Sequence, residues 1–179
     1  MLRKLAAAVV LAGLCLPYAC DSRAITSVWG SVPEAAMFGV PLLAAVAYAL
    51  LEFLPPAAAG VERRGAVAFA TLRAVYVVLA GAYLIGALRQ SAAATDRLGA
   101  AVALLVTGAL VVWQQGKGTK AQRVPLYLLV ILGLAVVDLL VWTRLELQIG
   151  GWMVTGGWAL ATIEETRLLR AMPAAVHGR

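Results

Sequence analysis

Residues 124–142 read VPLYLLVILGLAVVDLLVW, a stretch of nineteen residues with one charge, Asp138, and a proline in second place. As an α-helix it reaches about 28 Å, close to the ~30 Å hydrocarbon core of a bilayer. Lipid offers no water to backbone N–H and C=O groups, so a run of this kind must satisfy them internally, as a helix. Pro125 suits the first turn, where its missing N–H would have no helical partner in any case. This run is read as a membrane span.

The pattern recurs along the chain. Apolar runs occupy residues 5–19, 35–54, 65–88, 98–113 and 147–163, with short polar connectors between them. Hydrophobic residues make up 63% of the chain and charged residues 13%, about half the charged share of a soluble domain. The 179 residues hold six spans and leave no length for a separate soluble domain. The predicted fold is therefore all-α, a polytopic transmembrane helix bundle forming one integral membrane domain over residues 1–179. It has an outer loop at 20–34 and a cytoplasmic tail at 164–179.

Two of the runs admit an alternative. Residues 5–19 follow Arg3 and Lys4 and have the length of a signal peptide, but Pro17 would stand at position −3 of a cleavage before Cys20. The run is read as the first span. Residues 147–163 contain Gly150, Gly151, Gly156 and Gly157, which weaken a helix, and a re-entrant or interfacial segment is the alternative. Gly150 and Gly157 are seven apart and share a face, so they permit close helix packing in lipid. Pro41 within 35–54 predicts a kink, and Pro55-Pro56 ends that helix.

Charge placement orients the bundle. With six spans and a cytoplasmic N-terminus, the inner side carries Arg3, Lys4, Arg63, Arg64, Lys117, Lys120, Arg123, Arg167, Arg170 and Arg179, while the outer side carries Arg23, Arg89, Arg97 and Arg144. Ten against four obeys the positive-inside rule. Without the sixth span the division is seven against seven, so the rule supports that span independently of its hydropathy. Trp142 and Trp152 near outer ends, and Trp113 near an inner end, serve as interfacial anchors. Trp158 is the exception, since it falls in mid-span.

Ionisable side chains at membrane depth point to function. Arg73 lies about 12 Å in from the inner end of its run, Asp138 about 21 Å from the same face, and Glu52 close to the inner end of the second span. Glu52 and Arg73 sit on consecutive helices and differ in depth by about 8 Å, which two long side chains bridge, so they form the expected intramembrane ion pair. Alternatively, Glu52 snorkels to the interface and Arg73 engages backbone carbonyls or a lipid phosphate. Asp138 is a candidate functional acid, although solvation near the outer interface accounts for it equally well. Glu164 to Arg167 read as a solvated helix terminus.

Catalytic patterns are few. His177 is the lone histidine, which leaves no HExxH zinc site and no Ser-His-Asp triad within the chain. Cys15 and Cys20 form no CxxC and lie on different helix faces. The segment QGKGTK, residues 115–120, lacks phosphate-loop spacing and reads as a flexible basic loop. No catalytic, cofactor or metal residue is assigned and no cofactor is implied. The net charge of +6 sits in connectors without interleaved aromatics, so the expected partners are the lipid bilayer and other membrane chains, with no nucleic acid. The expected function is that of a non-catalytic accessory subunit in a bacterial cytoplasmic membrane. A small transporter or channel using Arg73, Glu52 and Asp138 is the second reading, and a membrane enzyme the third.

Overall fold

The computed structural model describes residues 1–19, 22–23, 32–53, 61–89, 94–142 and 147–171. They form six α-helices: α1 Leu2–Cys15, α2 Val32–Phe53, α3 Val61–Arg89, α4 Ala94–Trp113, α5 Lys120–Trp142 and α6 Ile149–Ala171. Besides the helices there is a minimal antiparallel ribbon, β1 Pro17–Ala19 with β2 Ser22–Arg23. Among the described residues two helices are long and apolar enough to cross a membrane, over Arg64–Ile85 in α3 and Lys120–Val141 in α5. Shorter apolar stretches, Gly39–Phe53 and Arg97–Trp113, lie in α2 and α4.

Helix ends follow local chemistry. The first helix stops at Cys15, short of the predicted residue 19, and Leu16 is extended at φ −100° and ψ 158°. The ring of Pro17 disfavours helical geometry in the residue before it, so the chain leaves the helix there and enters the ribbon. Fourteen helical residues reach only about 21 Å. At the other end of the chain α6 runs unbroken through all four glycines and continues eight residues past the predicted end at 163.

The segment that opens the sequence argument is also the centre of the structure. Helix α5 packs against α2, α3, α4 and α6. Its Leu126, Leu129, Val130, Ile131 and Leu134 are fully enclosed. Trp158 of α6 lies against Gly133 of α5, where a Cβ would stand 2.8 Å from the indole. The missing side chain lets the indole reach the backbone, and Nε1 donates to the Leu129 carbonyl at 2.8 Å. The mid-span tryptophan is therefore a helix-to-helix contact instead of an interfacial anchor.

Helix α1 packs chiefly on α6. A Cβ at Gly13 would stand 2.8 Å from the Gly150 carbonyl, and one at Gly157 would stand 2.7 Å from Val10 Cγ2. The glycine face of α6 thus receives the small-residue stripe of α1, which brings two backbones into close van der Waals contact, the main attraction between helices in lipid. Helices α2 and α3, consecutive in sequence, scarcely touch each other and pack separately on α5. The outer face of α3 carries Val67, Val77, Val78, Leu84, Ile85 and Leu88, all more than half exposed. An apolar face of that extent is unusual on a soluble monomer and natural against lipid or another apolar chain.

Candidate functional site

The end of the bundle that holds the start of α1 and the end of α6 gathers charged residues into two groups. In the first, Arg3 of α1 stands between Glu52 of α2 and Glu165 of α6. Its Nη2 is 2.7 Å from Glu52 Oε1 and its Nε is 2.6 Å from Glu165 Oε1. The Glu165 contact is short but poorly aligned for a hydrogen bond, so charge attraction is its main component. Glu52 is 9% exposed, Glu165 3% and Arg3 33%. The Tyr48 hydroxyl, fully buried beside Arg3, makes no well-formed hydrogen bond, and the Thr162 hydroxyl one turn before Glu165 makes none among the described residues.

This arrangement corrects two sequence expectations. Glu52 pairs with Arg3 and not with Arg73, because α5 stands between α2 and α3 and holds consecutive helices apart. Glu165 belongs to no solvated terminus: it continues the buried face of α6 that runs through Gly150, Val154, Gly157 and Ala161. That periodicity was the available signal, since 165 follows 161 by four and 157 by eight. Arg3 likewise precedes Ala6, Ala7 and Val10, the buried stripe of α1.

The second group lines an open cleft of about 500 Å³ where α3, α5 and the connector before α5 meet. Arg73, Lys120 and Arg123 border it, with Phe69 and Tyr127 in edge-to-face contact, ring centres 4.9 Å apart. Gln114 also lines it; it is 1% exposed, and neither its amide nitrogen nor its amide oxygen finds a partner among the described residues. The connector, read from its composition as a flexible loop, makes specific hydrogen bonds to α5. Gly116 and Gly118 adopt φ of +79° and +58°, which glycine enters without strain. Arg123 donates from Nε to the Lys117 carbonyl at 2.5 Å and from Nη2 to the Gly118 carbonyl at 3.0 Å. Thr119 and Gln122 form a capping box: the Thr119 N–H donates to Gln122 Oε1 at 2.7 Å and the Gln122 N–H to Thr119 Oγ1 at 3.4 Å. The spacing T-x-x-Q, residues 119–122, was its sequence signature.

The remaining predicted residues lie elsewhere. Asp138 is at the opposite end of α5, its Oδ1 so near Gly99 of α4 that a Cβ there would stand 2.7 Å away. Trp113 takes Lys117 Nζ over its ring at 3.8 Å and the Arg170 guanidinium at 5.4 Å. Trp152 is half exposed on α6. The Trp142 side chain, Cys20 and His177 lie outside the described residues. Among the described residues no three His, Cys, Asp or Glu side chains converge as a metal site requires. No protein family, curated protein or solved structure matches this chain.

Proposed function

We propose that this protein is a non-catalytic multi-pass protein of a bacterial cytoplasmic membrane, with all six helices spanning and both termini inside. In that setting it serves as an accessory subunit of a larger membrane complex. The observation that carries the reading is the division of apolar surface: α5 is enclosed by its neighbours, while α3 leaves large aliphatic side chains along its outer face. That face needs an apolar environment, which lipid tails and a partner helix both supply. The transporter reading loses support because its three ionisable residues occupy separate neighbourhoods: Glu52 with Arg3, Arg73 at the cleft, and Asp138 at the far end of α5.

Two measurements test this. Labelling of a C-terminal tag should require permeabilised cells, and access from the periplasm would remove the six-span threading. Extraction in mild detergent should recover partner chains in fixed stoichiometry. A homogeneous monomer would count against the accessory role.

A further inference from the structure

We propose that the cleft between α3 and α5 binds the phosphate group of an anionic lipid, with an acyl chain lying along α3. The inference rests on the membrane reading above.

The described lining of the cleft collects positive charge. Arg73, Lys120 and Arg123 face it, and no acidic side chain is among the described residues that border it. Arg73 and Lys120 are exposed, while Arg123 is held in place by its bonds to the Lys117 and Gly118 carbonyls. The capped start of α5 adds the positive end of a helix dipole, a favourable place for a phosphate oxygen. Like charges that line one cleft repel one another, and an oxyanion between them would relieve the repulsion.

Gln114 supplies the second, independent observation. A buried amide with neither donor nor acceptor engaged is rare, because leaving such a group unpaired is unfavourable. Gln114 lines the cationic cleft while its amide atoms are shielded from solvent, and a turn of the side chain toward the cleft would let its N–H donate to a phosphate oxygen and its C=O accept from a headgroup hydroxyl.

The shape then selects a lipid over a soluble phosphate. A groove of about 510 Å³ runs on from the cleft along α3, sharing Phe69, Arg73 and Lys120 with it. Ala66, Ala70 and Ala74, each four residues from the next, line it together with Val77 and Val78. A soluble phosphate has no use for this apolar extension, and an acyl chain fills it. Basic pockets on the cytoplasmic side of transmembrane helices are suited to anionic headgroups for the same reasons.

The test uses the full chain in a neutral detergent, titrated with phosphatidylglycerol, phosphatidylcholine or inorganic phosphate. Lipid retention is read by native mass spectrometry and stability by thermal melting. Phosphatidylglycerol should be retained and should raise the melting temperature where phosphatidylcholine does not, and Arg73→Gln or Lys120→Gln should each cut that preference roughly fivefold. Arg167→Gln removes the same charge from a side chain 71% exposed and outside the cleft, and it should leave the preference intact. Gln114→Leu separates a binding role from a structural one: lipid-free melting should hold or rise as retention falls. Equal retention of the two lipids overturns the proposal, as does a preference that survives both Arg73→Gln and Gln114→Leu. Inorganic phosphate matching the effect of the lipid overturns the acyl-chain groove. A chain soluble without detergent overturns the membrane reading, a result distinct from lipid indifference in a detergent-dependent protein.

Discussion

The two charged groups at one end of this bundle are built on opposite plans. Around Arg3, two buried carboxylates close on one guanidinium, so opposite charges meet within the chain, with one negative charge in excess when both carboxylates are ionised. Around Arg73, cations from α3 and α5 border an open cleft with no carboxylate among the described lining residues. The first group can be structural, since its ion pairs join α1, α2 and α6. The second is where an anionic lipid is proposed to bind. Whether opposite charges lie in contact distinguishes these two groups more sharply than depth along the apolar runs, which was the criterion the sequence offered.

The largest effect that would test this contrast is expected from Arg3. Arg3→Ala leaves two carboxylates buried together and should destabilise the protein by about 3 kcal/mol, the low end for breaking a buried pair because Arg3 is itself a third exposed. The triple replacement Arg3→Met, Glu52→Gln, Glu165→Gln removes every charge at once and should recover most of that loss in thermal melts. Failure to recover would mean that the group does more than hold three helices together.

Next comes the interface beneath the clasp. Gly157→Ala places a Cβ 2.7 Å from Val10 Cγ2 and 3.1 Å from the Ala6 carbonyl, so α1 must move off α6. A loss of about 2 kcal/mol is expected, as for overpacking elsewhere. An unchanged melting temperature would show that α1 adapts freely and that the Arg3 contacts are not held by the glycine face.

The smallest effect belongs to the other group. In neutral detergent without anionic lipid, Arg73→Gln should change stability by less than about 0.5 kcal/mol, since Arg73 is an exposed side chain. A large loss there would make Arg73 structural and erase the contrast with Arg3.

Much of the architecture was legible from the chain. Helices were readable from uninterrupted apolar runs because backbone hydrogen bonding in an apolar medium leaves few alternatives. Prolines marked turns, although Pro17 ended α1 earlier than hydropathy alone suggested. Burial of Glu165 was visible in principle, because the 3.6-residue period that carries Gly150 and Gly157 also carries it. Reading Glu164 to Arg167 as one polar block hid that difference between neighbours. The hydrogen bonding of the connector before α5 was hidden similarly: its glycines and lysines look mobile by composition, and its bonds come from a capping box together with Arg123 folding back on two carbonyls.

By itself the sequence determined six helical segments and a small-residue face on the last of them, because these depend on local bonding and on periodicity within one helix. Which helices became neighbours was decided only in three dimensions. The central position of α5 separates α2 from α3, gives Glu52 to Arg3, and leaves Arg73 at an open cleft. Partner choice among charges depends on distances between helices far apart in the chain, and hydropathy along a single strand of residues contains no such distances.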